Sequence, residues 1–155
     1  MKTLVTGGAG FIGSHLCQQL LTRGLEVICV DNLACGRLEN LDEFKNDPNF
    51  KFVQADIRDR NALFPSMEGV DWVFHLAGLA DIVPSIENPS LYFDMNVNGT
   101  LHVLECARET GVGRFLYAAS SSSYGIPDKY PTGETAPINP QYPYALTKYQ
   151  GEELV

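Results

Sequence analysis

Tyr144 and Lys148 lie four residues apart in a segment whose pattern predicts a helix. Side chains at i and i+4 project from one face of a helix, so the ammonium would lie one turn from the phenol. A neighbouring cation favours phenolate over phenol, and a phenolate can exchange a proton with a hydroxyl or carbonyl group. The pair therefore predicts proton transfer, with a solvated helix face as the alternative because YxxxK by itself is common.

Four serines, residues 120–123, follow a strand predicted at residues 114–119. Ligands of doubly wound sheets bind at the carboxyl ends of the strands, so a hydroxyl there can hydrogen-bond a reacting oxygen. The other serines of the run are expected to cap the loop.

Three glycines, Gly7, Gly10 and Gly13, separate the first predicted strand from the first predicted helix. Gly7 permits a tight turn, Gly10 lets the backbone approach a pyrophosphate, and Gly13 lets helix and strand pack closely. The helix would then present free N–H groups and its positive dipole end to phosphates. This arrangement predicts a dinucleotide site.

Two acidic residues follow the second and third predicted strands. Asp31 lies 18 residues after Gly13, where its carboxylate can accept hydrogen bonds from the adenosine ribose and would repel a 2′-phosphate. NAD is therefore favoured over NADP, although Arg37 leaves NADP open. Asp56 and Ile57 could hold and sandwich the adenine, and the alternative for Asp56 is an acid at a helix N-terminus.

Apolar periodicity supplies the elements that would position these residues. It predicts parallel strands at residues 2–6, 26–30, 50–54, 71–76 and 114–119. Helices are predicted at 11–22, just after Asp59, from Asn88 and Pro89 to Thr110, and from 144 to 155. The alternation predicts a single α/β domain with a doubly wound parallel sheet.

The 155 residues carry 19 acidic and 11 basic side chains, a net charge of -8. That balance argues against a nucleic-acid or anionic-membrane surface. No apolar run approaches the ~20 residues of a membrane span, and a cytoplasmic protein is expected. The four cysteines and three histidines lack metal-ligand spacing, so we expect reduced thiols, structural histidines and no metal.

The motifs, taken in order, resemble the extended short-chain dehydrogenases/reductases, and within them the nucleotide-sugar epimerase/dehydratase group. They span the whole chain: TGGAGFIGSHL, DNLACGRLENL, DIRD, HLAG, YFDMNVNGT, SSSSYG and PYALTK. The resemblance implies a Rossmann-like fold with strand order 3-2-1-4-5. It also implies NAD as cofactor and a nucleotide sugar as substrate, a UDP-hexose being favoured.

The resemblance also implies roles for individual residues. Ser120, Tyr144 and Lys148 would be catalytic, and Ser120, Ser122 and Tyr144 would contact the substrate. The dinucleotide would contact the three glycines, Tyr144, Lys148 and a further set: Phe11, Ile12, Asp31, Asn32, Asp56, Ile57, Leu76, Ala77, Gly78 and Asn96.

Ser122 bears on the type of reaction. The sugar 4,6-dehydratases and the nucleotide-sugar decarboxylases that the chain resembles carry a glutamate two residues before the Tyr-Gly of this motif. With serine there, the resemblance favours a UDP-hexose 4-epimerase that works through a transient 4-keto sugar. Alternatives are a dehydratase, a reductase, or an NAD-binding fragment without turnover. Ala80 departs from the lysine of UDP-galactose epimerases.

Only five strands precede the last helix, which is still in progress at Val155. We therefore expect residues 1–155 to be an incomplete dinucleotide-binding domain, truncated before a sixth strand and a substrate domain, and inactive alone. The resemblance implies a homodimer of the full-length form through helix 89–110 and the helix beginning at Tyr144. Phe93, Val97, Leu101 and Leu104 would form that contact or, alternatively, belong to the core.

Overall fold

The computed structural model describes all 155 residues and contains one parallel sheet of five strands. The strands are β1 (Lys2–Thr6), β2 (Glu26–Asp31), β3 (Phe50–Gln54), β4 (Trp72–His75) and β5 (Arg114–Tyr117). Their order is β3-β2-β1-β4-β5, which confirms the predicted fold class and topology. Strand order reverses beside β1, and ligands of such sheets bind in the crevice at that point.

Five α-helices lie between the strands and a sixth follows β5: α1 (Phe11–Thr22), α2 (Arg60–Leu63), α3 (Ile82–Glu87), α4 (Pro89–Phe93), α5 (Gly99–Thr110) and α6 (Pro143–Leu154). Short 3-10 turns occupy Leu38–Leu41, Phe64–Met67 and Ser121–Tyr124. The bounds of α1 agree with the prediction. None of the helices combines the length and apolar character that crossing a membrane requires.

The long helix predicted up to Thr110 is wrong in its middle. The segment Asp94–Asn98 between α4 and α5 is a π-helix. There the buried Asn96 side chain binds the backbone of Leu79, which the local sequence pattern did not indicate. The ends were predicted correctly, since Asn88 caps α4 through the Leu91 N–H and Gly111 ends α5 with a φ of 75°.

Several further bounds differ from the prediction. Strand β2 extends one residue further, to Asp31, β4 begins one residue later, at Trp72, and α6 spans Pro143–Leu154 rather than 144–155. Helix α3 was not predicted, because its six residues include Pro84 and too few turns to show a periodicity. Strands β4 and β5 end at His75 and Tyr117, one and two residues earlier than predicted, and the freed residues enter the loops at the carboxyl edge.

Both faces of the sheet are covered by apolar side chains. On one face the core includes Leu4, Ile28, Val73 and Val103, and on the other Val5, Val27 and Leu20. Neighbouring residues of β1 therefore enter opposite layers, which explains the continuous apolar character of the strands. All four cysteines are free; Cys17, Cys29 and Cys106 are buried, and Cys35 is exposed.

Candidate active site

The glycine loop between β1 and α1 has little room for side chains. Gly7 adopts a φ of 69°, and a Cβ there would lie 2.8 Å from the backbone nitrogen of Ala77. A Cβ on Gly13 would overlap the Gly7 carbonyl oxygen and lie 2.7 Å from the Gly8 Cα. Gly10 has more room, its nearest atom being the Gly7 oxygen at 3.2 Å. The positive φ of Gly7 makes the tight turn and the crowding at Gly13 reflects close packing of helix and strand, as predicted for each, and Gly10 leaves the loop surface open.

The N-terminus of α1 fits a phosphate group. Gly10 is the N-cap and no side chain bonds the helix end, so the first N–H groups lack the partners that a capping side chain would supply. Phe11 and Ile12 are 79% and 69% exposed. Two large apolar side chains in solvent beside an uncapped helix end are consistent with the predicted dinucleotide contact.

A groove runs along the carboxyl ends of the strands. It is lined by Gly7, Gly10, Val30, Asp31, Asn32, Cys35, Gly36, Ala55, Ile57, Leu76, Ala77, Gly78 and Met95. Eight of these were predicted to contact the cofactor. Sequence reasoning missed Val30, Cys35, Gly36, Ala55 and Met95. Val30, Ala55 and Met95 are each adjacent in the chain to a predicted contact, whereas Cys35 and Gly36 lie in the DNLACGRLENL motif, three and four residues after Asn32.

Asp31 joins the groove to the glycine loop. Its buried carboxylate accepts hydrogen bonds from the Ala9 N–H at 3.0 Å and the Leu33 N–H at 2.8 Å. A Cβ on Gly36 would lie 2.8 Å from both carboxylate oxygens, so the loop after β2 closes tightly over the group. A fixed negative charge consequently lies in the groove where the ribose contact was predicted.

Asp56 belongs to a polar cluster beside the groove. Its carboxylate accepts hydrogen bonds from Asn32 at 2.8 Å and from the Arg58 guanidinium, which also approaches Asp94. Hydrogen bonds from Arg58 hold the pKa of the Asp56 carboxyl well below its usual range. The N-cap of α2 is Asp59, so the alternative interpretation of Asp56 as that helix's N-terminal acid is wrong.

Asn96 is buried, and its side-chain amide forms hydrogen bonds to two other residues of the protein. Its Oδ1 accepts from the Leu79 N–H at 2.8 Å, and its Nδ2 donates to the Leu79 oxygen and to the Thr147 hydroxyl. Asn96 therefore connects the segment after β4 to helix α6. It does not line the groove, and neither do six other predicted contacts: Phe11, Ile12, Gly13, Asp56, Tyr144 and Lys148.

Ser120 and Tyr144 come together although 24 residues separate them. The Ser120 hydroxyl lies 3.3 Å from the Tyr144 hydroxyl and also accepts a hydrogen bond from the Ser122 N–H. Ser120 follows β5, whose neighbour β4 leads into the groove wall at residues 76–78. The hydroxyl pair thus lies at the same edge of the sheet as the groove.

Lys148 is buried, with 8% of its surface exposed, one turn along α6 from Tyr144. Burial disfavours the charged form and lowers the pKa of Lys148 to about 8, while the carboxylate of Glu152 opposes that effect. The ammonium is still largely protonated at neutral pH. Its Nζ lies 4.1 Å from the centre of the Tyr117 ring.

His75 lies beneath the site as a structural histidine, as expected. Its Nδ1 is 2.7 Å from the Thr6 hydroxyl, and its Nε2 is 2.9 Å from the Thr100 hydroxyl. The Thr100 hydroxyl donates its one proton to the backbone carbonyl oxygen of Asn96. Nε2 of His75 must therefore carry the ring proton, and Nδ1 must accept a hydrogen bond from the Thr6 hydroxyl. Burial lowers the pKa of His75 to about 3, which keeps the ring neutral.

These features define the class of the protein: a doubly wound α/β domain that binds a dinucleotide across its strand ends and carries a serine, a tyrosine and a lysine beside that groove. Comparison with known proteins agrees. Residues 3–155 match the model of the NAD dependent epimerase/dehydratase family. The chain belongs to that family.

Several members are similar over the whole chain. The UDP-glucose 4-epimerase of Mycolicibacterium smegmatis is 43% identical over 98% of this chain and 49% of its own. The structure of the Thermus thermophilus UDP-glucose 4-epimerase with NAD has a TM-score of 0.89 at 39% identity, covering 99% of this chain and 49% of that one. The chain therefore spans about half the length of these relatives.

A dehydratase is similar as well. The dTDP-glucose 4,6-dehydratase of Streptomyces venezuelae, solved with NAD, has a TM-score of 0.94 at 38% identity, covering 99% of this chain and 50% of that one. NAD is the cofactor of the family and is bound in both solved structures. The glycine loop, the uncapped start of α1 and the Asp31 carboxylate fit that cofactor.

Proposed function

We propose that this chain carries the NAD site and the catalytic residues of a UDP-hexose 4-epimerase. The observation that carries the proposal is the Ser120 and Tyr144 hydroxyl pair at 3.3 Å, beside the turn Ser121–Tyr124. Ser122 in that turn occupies the position at which, by the family resemblance, dehydratases of the group carry glutamate. The turn Ser121–Tyr124 contains no carboxylate. Oxidation and reduction at one carbon need only the hydroxyl chemistry present there, whereas elimination needs a base for a carbon-bound proton.

Tyr144 and Ser120 have different roles in the proposed proton transfer. Tyr144, as phenolate, takes the proton of the sugar C4 hydroxyl, and Ser120 bridges the Tyr144 oxygen and the sugar oxygen. NAD, when bound, supplies the chemistry of accepting hydride from C4 and returning it. Tyr144 then returns its proton to the sugar oxygen after the 4-keto sugar has turned, so no net oxidation or reduction occurs.

Lys148 stabilises the negative charge of the Tyr144 phenolate from one turn away and is available to hydrogen-bond the nicotinamide ribose. Asp31 holds the adenosine ribose and disfavours a 2′-phosphate, which supports NAD over NADP. The other proposed cofactor contacts are Phe11, Ile12, Asn32, Asp56, Ile57, Leu76, Ala77, Gly78 and Asn96. Asn96 would act through Leu79, because its amide is bonded there.

The substrate is proposed from the relatives. Curated relatives and solved structures named as UDP-glucose 4-epimerases support a UDP-hexose, and the similar dTDP-glucose 4,6-dehydratase supports the broader class of nucleotide sugars. Because the chain spans about half of these proteins, epimerisation is proposed for the whole protein. For residues 1–155 alone we propose NAD binding without turnover.

Tyr144→Phe tests the assignment in the whole protein. We expect conversion of UDP-glucose to UDP-galactose to fall about 10²- to 10⁴-fold, the usual contribution of general acid–base catalysis. Tyr149→Phe on the same helix is the matched control and is expected to keep wild-type activity. A loss of less than tenfold in Tyr144→Phe would contradict the role of the phenol.

Product analysis separates the rival reactions. A 6-deoxy-4-keto sugar would identify a dehydratase, and stoichiometric formation of reduced nicotinamide would identify a reductase. Neither is expected. Exclusive formation of the C4 epimer, with the cofactor recovered oxidised, is the outcome that supports the proposal.

We further propose that the whole protein is a homodimer through the outer faces of α4, α5 and α6. Phe93 and Leu101 are 44% and 40% exposed, whereas Val97 and Leu104 are only partly exposed. The first two are therefore available for a contact with a second subunit, and the other two also pack inside the domain. Leu101→Glu should convert a dimer to a monomer in sedimentation experiments. Leu38→Glu, at an exposed apolar residue of the turn after β2 and away from these helices, is the control that should leave the dimer intact.

A further inference from the structure

Tyr117, the last residue of β5, contacts Lys148 at two points. Its ring centre lies 4.1 Å from the Lys148 Nζ, and its hydroxyl donates a hydrogen bond of 3.1 Å to the Lys148 carbonyl oxygen. One side chain of the sheet thus contacts both the charged end and the backbone of this lysine.

Helix α6 can approach Tyr117 because Gly151 lies on the side facing it. A Cβ on Gly151 would overlap the Tyr117 hydroxyl and lie 3.0 Å from the ring carbon that bears it. The centre of the Tyr117 ring also lies 5.7 Å from that of the His75 ring, which hydrogen bonds to Thr6 and Thr100 hold in place. The ring is therefore packed against both a fixed histidine and the helix.

The chemical type of this partner matters for Lys148. A carboxylate against the ammonium would cancel much of the positive field that favours a phenolate at Tyr144. An aromatic face attracts the cation through its quadrupole and carries no net charge, so the field is preserved. The aromatic face also compensates in part for the loss of hydration of the buried lysine.

We propose that Tyr117 is the positioning residue of Lys148, holding the ammonium over its ring without neutralising it and holding α6 by the carbonyl bond. The catalytic consequence rests on the proposed function. The placement of Lys148 does not, and it can be measured without turnover.

Titration of Lys148 by carbon-13 NMR of lysine-labelled protein tests the placement. The chain has five lysines, and Lys148→Met identifies the resonance of interest. The groups that face this ammonium are Tyr117 on β5, His75 on β4 and Glu152 on α6, and Tyr144 lies one turn away on α6. Tyr117→Leu keeps an apolar neighbour and removes the aromatic face, so the midpoint should fall from about 8 by roughly one pH unit.

Two variants act as matched controls. Tyr117→Phe keeps the ring and should leave the Lys148 midpoint in place. Phe115→Leu removes an aromatic ring of the same strand that also packs on His75, and it should leave the midpoint in place as well. Should Tyr117→Leu fail to fold, Tyr117→Met supplies a flexible apolar replacement. An unchanged or higher midpoint in a folded variant without the ring would overturn the proposal.

In the whole protein, Tyr117→Leu should lower kcat about tenfold or more, shift its pH profile with the Lys148 midpoint, and change KM for the sugar less than twofold. Tyr117→Phe should restore most of kcat. The two proposals can fail separately. If Tyr117→Leu shifts the Lys148 midpoint but the wild-type protein does not epimerise a UDP-hexose, the proposed function is wrong and the placement of Lys148 stands.

Discussion

The Thr6 hydroxyl lies 2.7 Å from Nδ1 of His75 and joins the end of β1 to the end of β4 beneath the glycine loop. The same hydroxyl oxygen accepts hydrogen bonds from the N–H groups of Leu76 and Ala77, each at 3.2 Å. Thr6 precedes Gly7, while Leu76 and Ala77 line the groove. This bond therefore fixes the separation of two walls of the cofactor groove.

Replacing His75 should destabilise the protein and widen the groove. His75→Leu removes the ring that satisfies two buried hydroxyls, and we expect the free energy of unfolding in urea to fall by ~2–4 kcal/mol. NAD affinity should fall with it. His15→Gln on the exposed face of α1 is the matched control, and a loss below ~1 kcal/mol in His75→Leu would contradict the assigned role.

The neutral His75 should make stability depend on pH. Burial lowers its pKa in the folded protein to about 3, whereas in the unfolded chain it is ~6.5. Between these values the unfolded chain holds one more proton, so the free energy of unfolding decreases by up to ~1.4 kcal/mol for each pH unit of acidification below ~6.5. Urea unfolding of wild type and His75→Gln at several pH values should show a smaller slope in the variant, and equal slopes would refute the interpretation.

Gly13→Ala should weaken NAD binding at least tenfold. The new Cβ would overlap the Gly7 carbonyl oxygen and approach the Gly8 Cα to 2.7 Å, and neither backbone group can move without opening the loop. Gly133→Ala is the matched control, because a Cβ there has no neighbour within 4 Å. Isothermal titration should show at least a tenfold weaker NAD complex for Gly13→Ala only; comparable affinity in both variants would argue against the loop as the phosphate site.

Asp31→Asn should alter cofactor choice. The variant loses the negative charge at the ribose site while keeping a side-chain oxygen for the Ala9 or Leu33 N–H. We expect NAD to bind about tenfold more weakly and NADP relatively better, since repulsion of the 2′-phosphate is reduced. Calorimetry with both dinucleotides measures the ratio. Asp42→Asn at the surface is the control, and an unchanged ratio in Asp31→Asn would exclude Asp31 as the selecting residue.

Much of this protein was determined by its sequence alone. Apolar runs and amphipathic stretches encode strands and helices locally, so the bounds of β1, β3 and α1 were predicted to the residue. The sequence also predicted the glycine loop, Asp31 and the pair of Tyr144 and Lys148. Each of these depends on a short spacing within one turn or at the end of one strand. The joining of Ser120 to Tyr144 followed from family resemblance rather than from spacing.

Tertiary structure decided the rest. Thr6 and His75 are 69 residues apart, Asn32 and Asp56 are 24 apart, and Tyr117 and Lys148 are 31 apart. No local propensity specifies such pairs, since they form only when elements distant in sequence pack together in the folded chain. The π-helical turn at Asn96 has the same origin: burying an amide against Leu79 stabilises a backbone that the helical pattern alone would not adopt.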